Sequence, residues 1–455
     1  MAARTPDMLA THPVRTASGL RAIVLAAAAL WMTALSLCAA AQPPLLPTRS
    51  PGTATESASV PHARSVDLDA PVDAQTPAEA PTTLPAPAVS QQRQDAALRD
   101  IRSAGPGPDA QTSSAAFHML GADVLPGTAT RLAWQPGESF AGIAVPTPVL
   151  VVHGNNSGPV LCLTAAVHGD ELNGIEMVRR VLYELDPLQL KGTVVGVPIV
   201  NLLGFKRSSR YLPDRRDLNR HFPGNRSGSS ASRIAHSFFN EIVKRCTVLV
   251  DLHTGSFYRT NLPQLRADLR NPEVAAVAES FASTAIVQSA GASGSLRRAA
   301  VDAGIPTVTL EAGEPMRLQA AEVEHGVRGI FALIDQLGMY RKLRVWGNPA
   351  AVHYVSRWVR ADGGGILFGK VSLGQRVREG ELLGTVTDPI TNVRADILSP
   401  YDGRVIGMAV DQVVLPGFAA FHIGIQPRET PDGAGGPIGD EAPDEPAAKD
   451  SLEDS

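Results

Sequence analysis

The sequence has few aromatic residues, few cysteines and little net charge. Phe, Tyr and Trp make up 5% of the 455 residues, and residues 42–116 contain none of them. The three cysteines are too few for a disulfide framework or a cysteine-based zinc site in a chain of this size. A net charge of −4 does not attract a nucleic-acid backbone, so we expect no nucleic-acid partner.

The first 41 residues resemble an export signal. Three arginines precede an uncharged apolar run at 22–37, and the small residues Ala39 and Ala41 permit cleavage before Gln42. We expect cleavage and a periplasmic or secreted protein. The alternative is an uncleaved membrane anchor, because the uncharged stretch reaches 20 residues when 38–41 are included.

Cys162 and Cys246 are then the cysteines left in the exported chain. Neither has a second cysteine or a histidine at the spacing of metal ligands. Because each precedes or lies in a predicted buried strand, we expect both to be inert small hydrophobic residues. The alternative is a single disulfide between them in an oxidising compartment.

Two segments have the composition of disordered chain. Residues 42–114 contain 12 of the 36 prolines and no periodic apolar face, so they predict a disordered linker. Residues 91–102 are an exception, because they could form a short helix. Residues 428–455 carry nine acidic residues against Arg428 and Lys449, and they predict a disordered acidic tail.

Between these segments, apolar strand patterns alternate with helical patterns. The predicted strands lie at 148–153, 160–167, 192–200, 248–253 and 306–310, and the predicted helices begin near 172, 232 and 322. This alternation predicts an α/β domain over residues 115–345, with a largely parallel central sheet flanked by helices. In such sheets, chemistry collects at the carboxyl ends of the strands.

Histidines and carboxylates follow three of these predicted strands. The strand at 160 is followed by His168 and Glu171, the strand at 248 contains Asp251 and His253, and the strand at 306 leads to Glu311. Two histidines and one glutamate form the zinc-binding set of thermolysin and carboxypeptidase A. Taken singly, each histidine fits a buried framework residue, and Glu311 fits an ion-pair partner of an arginine. As a set at neighbouring strand ends, they predict a metal site.

Residues 201–225 form a long connection that is rich in arginine. Loops of this length in compact domains are usually functional or disordered. A guanidinium can bind a carboxylate through two parallel hydrogen bonds, so this connection predicts a small carboxylated substrate. The alternative is a solvated basic loop. The five arginines are Arg207, Arg210, Arg215, Arg216 and Arg220.

Four motifs in this part of the sequence resemble those of the succinylglutamate desuccinylase and aspartoacylase family, which belongs to the wider zinc carboxypeptidase-like fold. The resemblance covers roughly residues 146–338. The motifs are HGDE at 168–171, DLNR at 217–220 followed by FPG at 222–224, DLHTG at 251–255 and LEAG at 310–313.

The resemblance implies a mixed sheet flanked by helices, and a role for each matching residue. It implies zinc bound by His168, Glu171 and His253, with Glu311 as the general base that takes a proton from the attacking water. The remaining roles fall in the arginine-rich connection. Asn219 and Arg220 would bind the substrate carboxylate, Asp217 would orient a zinc histidine, and Arg210 would polarise the scissile carbonyl, with Arg215 or Arg216 as alternatives to Arg210.

The composition changes near Trp346, and residues 346–427 predict a C-terminal all-β domain. Short apolar runs alternate with glycine-rich turns. The pattern resembles the barrel-sandwich domain of biotinyl and lipoyl carriers and of many members of this deacylase family. The turn SPYDG at 399–403 contains no lysine, so we expect no covalent carrier role. We expect the domain to narrow access to the zinc site, with His353 and His422 as framework residues.

Three functions fit these patterns. The first is a zinc-dependent deacylase that hydrolyses the amide of an N-acyl amino acid or a related small carboxylated amide. The second is an exported metallocarboxypeptidase or cell-wall peptide hydrolase. The third is a zinc-containing protein that binds a carboxylated ligand without hydrolysing it. A general base and a carbonyl-polarising arginine argue against the third function. The sequence leaves the oligomeric state open.

Overall fold

The computed structural model describes residues 91–103, 115–136, 145–281, 284–341 and 351–426. The signal peptide predicted at 1–41 and the acidic tail predicted at 428–455 lie outside these residues. Within the described residues, no helix has both the length and the apolar character needed to cross a membrane. The helices are α1 Gln91–Ser103, α2 Asn173–Glu184, α3 Leu202–Phe205, α4 Ser230–Glu241, α5 Pro272–Glu279, α6 Leu296–Asp302 and α7 Ala320–Gln336.

The strands fall into a first group in the predicted α/β domain and a second group in the predicted β domain. The first group is β1 Phe117–Met119, β2 Ala122–Val124, β3 Thr128–Trp134, β4 Thr147–His153, β5 Asn156–Ala165, β6 Lys191–Val197, β7 Val248–His253, β8 Arg259–Ala267, β9 Ala285–Gln288 and β10 Thr307–Gly313. The second group is β11 Val352–Arg360, β12 Gly365–Gly369, β13 Arg376–Val377, β14 Leu382–Thr387, β15 Arg394–Leu398, β16 Gly403–Ala409, β17 Val413–Val414 and β18 Ala419–Ile425.

A twelve-stranded sheet in the order β13-β16-β18-β11-β9-β8-β10-β7-β5-β6-β4-β3 forms the centre of the described protein. Strands β6, β5, β7 and β10 are parallel, whereas β4 pairs with β6 and β8 pairs with β10 in the antiparallel direction. The mixed α/β class is therefore confirmed. The expectation of a largely parallel sheet is wrong, because β8 returns directly from β7 and pairs antiparallel on the far side of β10.

Side chains of β5 alternate between two hydrophobic cores, one on each face of the sheet. Leu161 and Leu163 pack with helices α1, α2, α5 and α7, while Cys162 packs with α4 and α6. Successive side chains of a strand point to opposite faces, so a strand covered by helices on both sides must be apolar at almost every position. This explains the continuous apolar run that marked β5 in the sequence.

Helix α1 corrects the prediction of a disordered linker at 42–114 for residues 91–103. The helix buries Ala97, Leu98 and Ile101 in the core that contains α2 and α7. The Nε atom of Arg102 donates a hydrogen bond to the carbonyl of Gln336 at the end of α7 (3.1 Å). The short helix considered at 91–102 is therefore present, and it belongs to the packed domain.

Four of the C-terminal strands, β11, β13, β16 and β18, continue the central sheet. Strand β11 pairs in parallel with β9, and β16 pairs with β8. The remaining strands form a four-stranded sheet in the order β15-β14-β12-β17, which shares a small hydrophobic core with the C-terminal strands of the central sheet. We call residues 351–426 the C-terminal module; its resemblance to a barrel-sandwich domain stays a prediction.

Cys162 and Cys246 form a disulfide, so the expectation of two inert hydrophobic residues is wrong and the alternative is confirmed. Cys162 lies in β5, and Cys246 lies two residues before β7, the strand that pairs with β5. The pairing brings the two Cα atoms to 5.7 Å, a separation that suits a disulfide. The bridge therefore joins the two strands that lead to His168 and His253.

Candidate metal centre

The described residues contain one cluster of histidine and carboxylate side chains that could bind a metal ion, and it consists of His168, Glu171 and His253. One ligand atom from each residue lies within 4.8 Å of the others. His168 and Glu171 occupy the turn after β5, and His253 ends β7. Because Ala165 pairs with Leu252 across these parallel strands, the three side chains reach the same edge of the sheet. All three are buried.

Both imidazole rings are held in an orientation that suits metal binding. The Nε2 atom of His168 lies 3.1 Å from Asp217, and that of His253 lies 2.9 Å from Asp251. A carboxylate only accepts hydrogen bonds, so Asp217 and Asp251 keep a proton on each Nε2, and each Nδ1 is left to bind either a proton shared with Glu171 or a metal ion. Both Nδ1 atoms lie 2.8 Å from Glu171, one against each carboxylate oxygen. Such carboxylate–histidine pairs are typical of zinc ligands.

The electrostatics of the cluster favour positive charge between its three members. Burial opposes the charged form of Glu171, yet the two histidines lower its pKa well below the usual value. Burial and Arg210 lower the pKa of His168, but Glu171 and Asp217 outweigh them and raise it. Burial likewise opposes a charged His253, and Asp251 with Glu171 raises its pKa well above the usual value. A cation, either added protons or a metal ion, is therefore stabilised here.

Asp217 and Arg210 extend the cluster from the arginine-rich connection. Burial raises the pKa of Asp217, but His168 and Arg210 overcome this effect and hold it well below the usual value. Arg210 donates hydrogen bonds to Asp217 (3.0 Å) and to Glu171 (3.4 Å), and its guanidinium lies 5.2 Å from the centre of the Phe257 ring. The structure thus places Asp217 beside His168.

Asp251 is a further residue of the site, and it belongs to the DLHTG motif at 251–255. It is buried, and it accepts a hydrogen bond from the hydroxyl of Thr164 (2.7 Å) as well as contacting His253. The signal that could have identified it is its spacing. Residues i and i+2 of a strand point to the same face, so Asp251 must lie beside His253 in any strand that contains both.

Glu311 lies on β10 directly beside His253, as the parallel pairing of β10 and β7 shows. Its Oε2 atom accepts a hydrogen bond from the side-chain amide of Asn261 (3.2 Å), and its Oε1 atom lies 3.7 Å from Arg266. Glu311 is not part of the three-residue cluster, but it faces the same cavity. It is therefore a carboxylate close to the cluster, held by contacts with Asn261 and Arg266.

Asn219 and Arg220 belong to a short 3-10 turn, Leu218–Arg220, so the long connection is not a bare loop. Asp217 caps this turn by accepting a hydrogen bond from the backbone N–H of Asn219 (2.8 Å). The Asn219 side chain in turn accepts a hydrogen bond from the backbone N–H of Leu296 (2.8 Å). Both Asn219 and Arg220 line the cavity, whereas Arg207, Arg215 and Arg216 do not.

A cavity of about 430 Å³ opens onto the cluster. Its walls carry two carboxylates, Glu171 and Glu311, and a larger number of guanidinium groups, so the cavity favours an anionic ligand. The six lining arginines are Arg210, Arg220, Arg259, Arg266, Arg297 and Arg298.

The C-terminal module contributes one side of this cavity through Trp358. Its indole ring stacks on His422 at 4.3 Å, and Arg259 lies 5.0 Å from the centre of the indole. His422 and His353 lie outside the metal cluster, and His353 is 3.8 Å from Glu279. The module thus forms part of the cavity wall.

The described residues combine a mixed α/β domain with a buried His/Glu/His cluster, a neighbouring glutamate and a basic cavity. This architecture and this set of metal donors are those of a metal-dependent hydrolase. Residues 157–337 match the model of the succinylglutamate desuccinylase/aspartoacylase catalytic domain. Residues 157–337 therefore match the catalytic domain of this family, as the motifs predicted.

Individual relatives agree with this assignment. A segment of 113 residues is 37% identical to N-α-acetyl-L-2,4-diaminobutyric acid deacetylase of Halomonas elongata. The match covers 25% of this chain and 33% of the length of that relative. The structure of succinylglutamate desuccinylase/aspartoacylase from Rhodobacter sphaeroides matches with a TM-score of 0.60 and 25% identity, over 68% of this chain and 99% of that one. The product-bound ectoine utilization protein EutE (DoeB) of Ruegeria pomeroyi shares the fold, with a TM-score of 0.59 and 23% identity, over 71% of this chain and 98% of its own.

Proposed function

We propose that this protein is an exported, zinc-dependent deacylase that hydrolyses the amide bond of an N-acyl amino acid or a related small carboxylated amide. The observation that carries the proposal is the orientation of the two histidines, whose Nδ1 atoms both face Glu171 while Asp217 and Asp251 hold the Nε2 atoms. This donor set fits zinc, which would be bound by His168, Glu171 and His253.

Zinc, when bound, supplies Lewis acidity, which makes water more acidic and an amide carbonyl more electrophilic. The protein's own residues would do the rest. Glu311 would take a proton from the attacking water and pass it to the departing amine. Arg210 would donate hydrogen bonds to the carbonyl oxygen as negative charge develops on it. Asn219 and Arg220 would hold the carboxylate of the substrate.

The class of substrate follows from the cavity and from the relatives. With six arginines and two carboxylates in its walls, the cavity favours a small anionic amide. The relatives are named for removing succinyl and acetyl groups from amino acids. Within this class, the acyl group and the amine are left to experiment.

The proposed location outside the cytoplasm is supported by the disulfide. Disulfides persist in oxidising compartments and are rare in the cytoplasm, and the Cys162–Cys246 bridge joins two buried positions of the catalytic domain. The location also favours the second candidate function, an exported peptidase, because the same residues could hydrolyse a peptide amide.

The function can be tested with the zinc-loaded, full-length protein and a panel of amides. The panel contains N-succinyl-L-glutamate, N-acetyl-L-aspartate, N-acetyl-L-2,4-diaminobutyrate and short peptides, and the assay measures released amine. Release from N-acyl amino acids alone supports the deacylase. Release from peptides alone supports the peptidase, and no release from a protein with stoichiometric zinc would refute both and leave a binding protein.

Glu311→Gln tests the role of the general base. Glutamine keeps the shape of the side chain but cannot accept the proton, so kcat should fall by about 10²–10⁴-fold while zinc content stays at the wild-type level. Glu324→Gln is the matched control, because Glu324 is half-exposed on α7 and its contact among the described residues is a long one with Arg180 (3.5 Å). Full activity in Glu311→Gln would show that another group is the base.

A further inference from the structure

The residue that holds Glu311 comes from a strand that none of the sequence motifs covers. Asn261 lies on β8, and its side chain is buried at the wall of the cavity. Its amide nitrogen donates a hydrogen bond to the Oε2 atom of Glu311 (3.2 Å). The other oxygen, Oε1, lies 3.7 Å from Arg266, so the orientation of the carboxylate depends on where the amide lies as well as on this arginine.

The position of the Asn261 amide depends in turn on the C-terminal module. The amide oxygen is buried and has no hydrogen-bonding partner among the described residues. Asn261 pairs with Gly407 of β16, and a Cβ atom at position 407 would lie 2.6 Å from that oxygen. The side chain therefore fits against a glycine, and any larger residue there must displace it.

We propose that Asn261 is a positioning residue for Glu311, and that the C-terminal module keeps it in place through Gly407. The inference rests on the proposed function in one respect, the role of Glu311 as the base. The C-terminal module would then have two roles at the site, because it forms part of the cavity wall and also holds Asn261 in place. The contact runs from β16 of the module through β8 to β10, three strands that meet in the same sheet.

A purely structural role for Asn261 makes different predictions. If the amide only filled space between β8 and β16, its loss would lower stability and change kcat little in the folded, zinc-loaded enzyme. A positioning role instead lowers kcat and leaves KM nearly unchanged, because the base acts in the chemical step and does not hold the substrate.

The experiment is a double-mutant cycle on the full-length, zinc-loaded protein with the N-acyl amino acid that the panel identifies. We expect Asn261→Ala to lower kcat about 10–100-fold at unchanged KM and zinc content, as removal of an orienting partner commonly does. Gly407→Ala should also lower kcat, because the added Cβ atom would displace the Asn261 amide. The double variant should be no slower than Asn261→Ala alone, because both changes act through the same hydrogen bond.

Gly403→Ala is the matched control on the same strand. A Cβ atom at 403 would lie 2.6 Å from Ile423 and 2.7 Å from the carbonyl oxygen of Gly424, so the position is at least as crowded as 407 but contacts no residue of the site. Its effect should fall on stability, with kcat unchanged. If it lowered kcat as much as Gly407→Ala does, general disturbance of the module would explain both variants and overturn the proposal.

Crystal structures of the wild type and of Asn261→Ala give a readout that needs no substrate. The Glu311 carboxylate should lose its defined position in the variant, and an unmoved carboxylate would overturn the proposal. The two levels of inference fail separately. Full activity in Glu311→Gln refutes the base, whereas an inactive Glu311→Gln with wild-type kcat in Asn261→Ala refutes the positioning role alone.

Discussion

The disulfide between Cys162 and Cys246 should contribute strongly to stability and little to catalysis. The two cysteines are 84 residues apart in sequence, and for a loop of this length the chain-entropy relation gives about 4.6 kcal/mol at 25 °C. Native-state strain and residual structure in the unfolded chain usually reduce this value. We therefore expect the free energy of unfolding to fall by about 3–5 kcal/mol when the bridge is reduced.

The assay is denaturant unfolding of the metal-free protein with and without a reductant. Oxidised and reduced protein differ only by two hydrogen atoms, so no side chain is changed. The double variant Cys162→Ala/Cys246→Ala is the control, because the reductant should leave its midpoint unchanged. Five backbone-paired positions still join β5 to β7, so the folded, reduced protein should bind zinc with the same stoichiometry and keep its kcat.

Two results would refute this reasoning. A loss of less than about 1 kcal/mol on reduction would mean that the unfolded chain gains little freedom when the bridge is cut. A loss of zinc binding in the folded, reduced protein would mean that the bridge, and not the pairing of β5 with β7, holds the ligands together.

Three further predictions concern the cluster, the first helix and the surface charges. Asp251→Asn removes the charge that orients His253, so zinc affinity should fall about 10–100-fold in a competition with a chromophoric chelator; unchanged affinity would contradict the role of Asp251. Leu98→Ala in α1 should lower the free energy of unfolding by about 2–5 kcal/mol in a denaturant titration, and a neutral effect would mean that α1 does not pack in solution. Hydrogen bonds from Arg179 lower the pKa of Glu176 to about 2. Partial burial opposes this shift, and a hydrogen bond from Arg180 adds to it. The carboxylate of Glu176 stabilises the fold above its usual pKa and loses that effect as the pH falls through about 2. Glu176→Gln should therefore cost less than about 1 kcal/mol at pH 7, because the two arginines that pair with Glu176 are partly exposed to solvent. The cost should disappear below pH 2, as pH-dependent unfolding curves would show.

The parts of the fold that could be predicted are those in which local sequence determines the environment. β7 was predicted at its observed bounds, and β5 was predicted from its apolar run, because strands covered on both faces leave a continuous signal. β8 was not predicted, since its sequence RTNLPQLRA mixes polar residues with Pro263 and lacks such a run. For helix α1 the sequence offers a helix only as an exception within a disordered linker, because three buried residues in a polar segment give a weak helical pattern.

The candidate site divides in the same way. The positions of His168, Glu171 and His253 could be predicted because the carboxyl ends of parallel strands meet at one edge of the sheet. The contact between Asn261 and Glu311 could not be predicted. It depends on the antiparallel pairing of β8 with β10, which links residues 50 positions apart and leaves no pattern in either segment.

The structure also distinguishes among the arginines that the sequence left as alternatives. Arg216 forms an ion pair with Asp214 at 3.1 Å and, like Arg215, does not line the cavity. Arg210 does line it, with two of its nitrogens bound to Glu171 and Asp217 and its buried Nε without a partner among the described residues. An unsatisfied buried donor is costly unless a ligand uses it. A carbonyl oxygen beside the cluster would supply that partner, so we propose Arg210, and not Arg215 or Arg216, for the polarising role.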